Sequence, residues 1–319
     1  MNTLLIYKFN SFVYRLQMLR VNYRENLHVV YFNKKLLQKL YFCTPLKNSQ
    51  VRKFFSTIQS TIATVQVERE SGSKASLRPF VILFITCCAL LIIQYVAIDP
   101  GYRLLLTGAT KLGLDGVHAF LEKYLIDSPN NQLYRLIYWA GIIFSCYFII
   151  PSLIILFGFR EKLSDYGLQW GTFFKDAWIY LVMLGIMFPL VYFASTTHSF
   201  QLRYPFYSPA EHESLWPNFW IWQMTYLMQF FALEFFFRGF IVHGLKKYVG
   251  VYSIIIMTVP YCMIHFGKPM GEAFAAIFAG LALGMMSLKS RSVALGIFLH
   301  YSVAITMDMA ALWQEGYFQ

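Results

Sequence analysis

The sequence predicts an all-α fold, a polytopic membrane helix bundle with about seven transmembrane helices. Three observations predict it. Of the 319 residues, 57% are hydrophobic and only 13% are charged, against about a quarter charged in ordinary soluble domains. The mean hydropathy is +0.49. Beyond about residue 80, several apolar runs reach the ~20 residues that a helix needs to span ~30 Å of hydrocarbon.

Residues 1–79 read as a basic, poorly ordered N-terminal extension. They hold 13 of the 27 Lys and Arg against three acidic residues, Glu25, Glu68 and Glu70, so nearly all of the net charge of +11 resides there. Such a segment could bind nucleic acid. Beside a membrane domain it reads instead as a cytoplasmic tail on anionic lipid, so the expected partner is the lipid bilayer and not nucleic acid. Patches such as Lys34–Leu40 suit amphipathic surface helices, and Glu68–Ser76 suits a linker. No short apolar core with a small-residue cleavage site follows Met1, so a cleaved signal peptide is not expected. The five cysteines (Cys43, Cys87, Cys88, Cys146 and Cys262) show no metal-ligand spacing.

Residues 80–134 hold a first span, Phe80–Ile98, ended by Asp99-Pro100-Gly101, and an amphipathic surface segment, Gly108–Ile126. Residues 135–319 hold the other six spans. These are Leu136–Phe157, Ala177–Ala194, a long Phe219–Leu245, Tyr252–Phe266 with a kink at Pro260, Ala273–Leu288 and Val293–Trp313. Gly280, Ala282 and Gly284 in the sixth suit close helix packing. Loop charges give the orientation. With the N-terminus cytoplasmic, the inner loops carry Arg160, Lys162, Lys175, Lys246, Lys247, Lys289 and Arg291, while the outer loop before the fourth span carries Glu211 and Glu213 against Arg203. That follows the positive-inside rule and places the C-terminus outside, in a plasma or inner membrane.

Ionisable groups inside spans are expensive and mark functional sites. Glu234 and Arg238 lie in the fourth span at i,i+4, so they share a face and can pair. His265 ends the fifth span. His300 lies in the seventh, with Asp308 two turns later on loosely the same side. Glu272 begins the sixth, where an acid also suits the helix dipole. Each has a bland alternative: a self-neutralising ion pair, a packed histidine, an interhelical hydrogen bond, a helix-terminal acid. Depth argues for a site. Counted from Gly250, Glu234 and His265 both lie roughly 22–24 Å along antiparallel helices, and His300 and Asp308 bracket that level from the Ser290 turn.

The order Glu234-x-x-x-Arg238, then Tyr261-x-x-x-His265, then His300 resembles the CPBP group of intramembrane proteases. That group includes the CAAX prenyl endopeptidases and the bacteriocin-processing and abortive-infection proteins. Arg160-Glu-Lys-Leu-Ser-Asp-Tyr-Gly-Leu168, Phe235-Phe-Phe-Arg-Gly-Phe240, His265-Phe-Gly-Lys-Pro269 and Gly280–His300 resemble its flanking text. The resemblance covers about residues 135–313. Two positions depart from it. The usual pair of adjacent glutamates is reduced to Glu234, with Leu233 in the first place. The fourth step after His300, often Asn or Asp, is Ala304, and Asp308 follows one turn later.

The resemblance implies an intramembrane endopeptidase acting on a protein or peptide substrate in the membrane, as in CAAX-box processing. Glu234 would orient or deprotonate a water with His265. His300 would stabilise the oxyanion, with Asp308 fixing its tautomer and Arg238 holding Glu234. The alternative chemistry is that of a metalloendopeptidase, with His265, His300 and a carboxylate binding a divalent metal such as Zn²⁺. No HExxH is present, and the metal-free form is preferred. Two other classes compete: a non-catalytic immunity or scaffold protein with a structural Glu–Arg/His network, favoured by Leu233 and Ala304, and a transporter using the same groups as a proton relay, for which no inverted repeat is seen.

Overall fold

In the computed structural model the described residues are Ser56 and residues 76–98, 101–209 and 213–318. The chain divides at Ser56/Thr57, and everything below concerns the second unit. The expectations for the basic extension and for Lys34–Leu40 lie outside the described residues.

Among the described residues the protein is built of helices, with no strand. Six are long and apolar enough to cross a membrane: α1 (Arg78–Ala97), α4 (Asn131–Phe159), α5 (Phe173–Ser195), α6 (Asn218–Val249), α8 (Met270–Ser290) and α9 (Ala294–Gln314). The expected amphipathic segment is two helices, α2 (Gly101–Lys111) and α3 (Asp115–Glu122), separated by Gly113 at φ +67°. They turn Tyr102 and Leu106 inward and leave Leu104, Leu112 and Phe120 exposed.

Of the about seven expected spans, six are single helices long enough to cross alone, and the fifth is not. α7 (Tyr252–Met263) is only 12 residues long, so it rises about 18 Å, well short of the hydrocarbon thickness. Pro260 lies inside it, and it ends where Gly267, at φ +81°, and Pro269 turn the chain over. Residues 264–269 form that turn. α8 then runs back along α7, with Gly280 against Thr258 and Tyr261 and Gly284 against Ile254 and Met257. The expected glycine packing is realised there: a Cβ on Gly284 would lie 2.8 Å from Ile254 Cγ2.

α6 is the axis. In its most apolar stretch 78% of the residues are buried, against 11–44% in the other five long helices. Those five face outward with rings such as Phe84, Trp178, Phe193 and Phe278, the surface a helix presents to lipid. From Phe235 to His243 the backbone of α6 widens into i→i+5 turns, a form common at functional sites. The widened stretch is wholly buried, and at Gly239 the Tyr166 carbonyl approaches so closely that an added Cβ would lie 2.6 Å from it. α9 packs antiparallel to α6, with Gly296 against Glu234 and Asp308 against Gln223.

The turn bearing Tyr166 is tied down by Glu161. That carboxylate accepts from Arg78 Nη1 (2.5 Å) and from the Tyr166 hydroxyl (2.7 Å). Burial pushes the Glu161 carboxyl up, but Tyr166 and Arg78 outweigh burial and hold it below the usual range. A carboxyl depressed in the folded state adds stability above its unfolded value and loses it as pH falls through the folded value. Thermal midpoints in detergent should therefore fall less steeply below about pH 4.5 in Glu161→Gln than in the wild type. Within the bundle, Gly284→Val should overpack the α7–α8 contact and cost about 1–3 kcal/mol, read as a lower unfolding midpoint.

Candidate active site

Glu234 stands at the last ordinary turn of α6 before the widening and is 0% exposed. Its Oε1 accepts a hydrogen bond from His300 Nδ1 (2.8 Å) and lies 3.0 Å from Arg238 Nη1. Oε2 has no hydrogen-bond partner among the described residues. Gly296 makes room for it, since a Cβ there would come within 2.6 Å of Oε2. Arg238 is equally buried, and its guanidinium lies over the Tyr261 ring at 4.1 Å. Nε, Nη1 and Nη2 make no geometrically sound hydrogen bond, so the cation is balanced by one carboxylate oxygen and one aromatic face.

His300 reaches this centre from α9, its ring tilted against Phe230 at 4.6 Å. His265 reaches it from the turn after α7, with Tyr261 between the two: the tyrosine ring is 4.7 Å from the His265 ring and 6.3 Å from the His300 ring. His265 Nδ1 bonds the Tyr261 carbonyl (2.8 Å), one of the carbonyls that the end of α7 leaves unpaired. Both imidazoles therefore spend Nδ1–H on an oxygen acceptor, which fixes the tautomer and leaves Nε2 as the free basic nitrogen. A carboxylate behind one imidazole, with that imidazole's far nitrogen unpaired, is the arrangement of a general base.

The sequence-derived residues divide into two groups. Glu234, Arg238, His265 and His300 come together. Arg238 holds Glu234 as expected, but the oxygen it faces is the one His300 also uses, and His300 rather than His265 is the direct partner of Glu234. Asp308 is elsewhere. Its Oδ1 accepts from the Phe206 N–H (2.8 Å), and its Oδ2 accepts from Gln223 Nε2 (2.8 Å) and Trp222 Nε1 (3.3 Å). The expectation that it fixes the His300 tautomer is corrected: Glu234 occupies His300 Nδ1, and Asp308 ties the 204–207 loop to α6 and α9. Glu272 lies in the first turn of α8, paired with Lys268 Nζ (2.6 Å) and accepting from the Tyr204 hydroxyl at both oxygens (3.0 and 2.9 Å). Lys268, Tyr204 and Gly296 were not singled out from the sequence, because a lone lysine, tyrosine or glycine carries no pattern.

Glu234 Oε1 is poorly placed for a Zn²⁺ ion. Glu234 Oε1 already faces the Arg238 cation and the His300 N–H, and a divalent ion there would sit against a fixed positive charge. Among the described residues, no three His, Cys, Asp or Glu side chains gather as a metal-ligand group.

Asp308→Ala should lower stability by about 1–3 kcal/mol for each buried donor left unpaired while the Glu234–His300 pair stays formed. Unfolding in detergent, with ¹⁵N NMR of the histidines to report the His300 Nδ1–H, checks both parts. No match is found among curated proteins or solved structures. Residues 215–306, which carry Glu234, Arg238, His265, Glu272 and His300 and stop short of Asp308, match the family model of the type II CAAX prenyl endopeptidase Rce1-like proteins.

Proposed function

We propose that the protein is an intramembrane endopeptidase that hydrolyses a peptide bond in a membrane-associated or lipidated protein, with a water activated by the Glu234–His300 pair and His265. The observation that carries this reading is the 2.8 Å carboxylate–imidazole contact, buried among apolar helices, beside a second imidazole whose Nε2 is also unpaired. The family match over residues 215–306 supports a peptidase and suggests a prenylated C-terminal peptide as the first substrate to try.

The reaction is metal-free. His300 Nε2 takes a proton from the water as its oxygen bonds to the scissile carbonyl carbon, and Glu234 stabilises the imidazolium that forms. The C–N bond then breaks, and the proton passes to the leaving nitrogen through His300 or His265. Arg238, held over the Tyr261 ring, pairs with Glu234 and aims it. The charge pattern of the loops supports a cytoplasmic N-terminus, and the membrane is proposed to be a plasma or inner membrane.

Two residues favour a second reading, a non-catalytic membrane scaffold or immunity protein. Leu233, in place of a second glutamate, and Ala304, one turn after His300, are both buried in apolar clusters. One variant separates the readings. Glu234→Gln keeps the volume but removes the ionisable group: its amide oxygen can still face Arg238 and His300 Nδ1, but it cannot stabilise an imidazolium by charge. The same change at a serine-protease aspartate costs about 10⁴-fold in kcat. With an internally quenched farnesylated CAAX peptide and equal amounts of folded protein, a loss of that order is expected. Undiminished cleavage by Glu234→Gln would remove the carboxylate from the chemistry, and a wild type that never cleaves would leave the scaffold reading.

A further inference from the structure

A base that takes a proton from water becomes a cation, and the groups already placed around His300 do not balance that charge alone. Glu234 carries one negative charge. Its Oε1 faces Arg238 Nη1 at 3.0 Å and is the same oxygen that His300 Nδ1 bonds at 2.8 Å. Once Nε2 is protonated, two cations share one carboxylate oxygen inside an apolar bundle, where uncompensated charge is expensive.

Arg238 has a second support, the Tyr261 ring at 4.1 Å from its guanidinium. His300 has an equivalent in Phe230. The two rings lie 4.6 Å apart and are inclined by 33°, too little for an edge-on contact, so the imidazole lies against the ring face. That face is the negative pole of the aromatic quadrupole and attracts a cation. The Tyr261 ring meets His300 differently, at 6.3 Å and 71°, and its face is taken by Arg238. Phe230 is buried, so little water screens its contact.

The placement follows from α6. Phe230 and Glu234 are four residues apart and share one side of the helix. His300, arriving from α9, therefore meets the carboxylate with Nδ1 and the phenyl with its ring. Tyr226, one turn earlier, lies against Phe230 at 4.5 Å, and Trp222 stacks on Tyr226 at 4.5 Å. This column of rings holds Phe230 in place.

Resting on the peptidase reading, we infer that Phe230 is a positioning residue for the base, whose ring face stabilises the His300 imidazolium as it forms. The water proton moves to Nε2 as the water oxygen bonds to the carbonyl carbon, and a proton reaches the leaving nitrogen when the C–N bond breaks. Phe230 exchanges neither protons nor electrons and is left unchanged.

The test uses the full chain in detergent with the quenched farnesylated CAAX peptide. Phe230 is replaced by 4-fluoro-, 3,5-difluoro- and 3,4,5-trifluorophenylalanine, which keep the ring's shape and withdraw more electron density from its face at each step. The single-turnover cleavage rate should fall stepwise along the series, with the half-saturating concentration little changed. Cyclohexylalanine, which has no π face, should lower the rate by about 30-fold, the worth of a desolvated cation–π contact. If the cyclohexylalanine variant does not elute as a single folded species, the fluorinated series decides alone. A wild-type rate in the trifluoro variant would overturn the inference and leave Phe230 as packing. So would a rise in the half-saturating concentration with the rate unchanged, which would place the ring against the substrate instead of the base. A wild type inactive on the peptide would remove the peptidase reading, and this role with it.

Discussion

The arrangement depends on one carboxylate. Removing an ion such as Glu234 from water costs several kcal/mol even after relaxation, and α6 cannot bury it unless other groups repay that cost. Arg238, one turn on, gives the counter-charge at 3.0 Å. His300 gives the hydrogen bond, and for it to do so α9 must approach closely enough that only a glycine fits at position 296. Arg238 then needs an electron-rich surface, which Tyr261 provides from α7. The same tyrosine offers its carbonyl to His265. The contacts among α6, α7 and α9 thus trace back to the burial of Glu234.

The α6–α9 seam holds a second buried carboxylate, and the contrast between the two separates structure from chemistry. Asp308 meets three donors from two other segments, with both oxygens used. Such a group is at a minimum and serves as a tie. Glu234 has one oxygen shared between a cation and an imidazole and the other without a partner, while the arginine beside it lacks sound hydrogen bonds. Native interiors leave few polar groups in this condition. A partly satisfied network at low dielectric is costly as structure, and its persistence fits a centre that must also engage a reacting water.

Much of the fold was legible because the signals were long. Six apolar stretches became six helices with ends shifted by a few residues, and Gly280 and Gly284 marked the α7–α8 contact through their spacing alone. The fifth span read as one long helix because Tyr252–Phe266 is apolar throughout, and hydropathy does not register where a glycine and a proline turn the chain. Glu234, Arg238, His265 and His300 could be brought together by counting helical rise. Asp308 was misassigned because eight residues leave it only loosely on the His300 side, and its real partners lie on a loop, at Phe206, and on the far turns of α6. The Tyr204–Glu272–Lys268 set was not legible, since it joins residues far apart in sequence.

The short helix α7 also shapes the backbone beside Arg238 and His265. A continuous helix would have satisfied its own backbone and presented only side chains to its neighbours. Ending α7 at Met263 leaves the Tyr261 carbonyl to His265 Nδ1, while the N–H groups of Ile264, His265, Phe266 and Lys268 bond the carbonyls of Pro260, Cys262, Met263 and His265. Irregular backbone within a membrane bundle is tolerated where it is buried in protein or lines a wet cavity. His265 repays part of the cost by bonding the Tyr261 carbonyl, and that bond in turn leaves its Nε2 basic. The end of α7 thus supplies a histidine held at Nδ1 beside the Tyr261 ring.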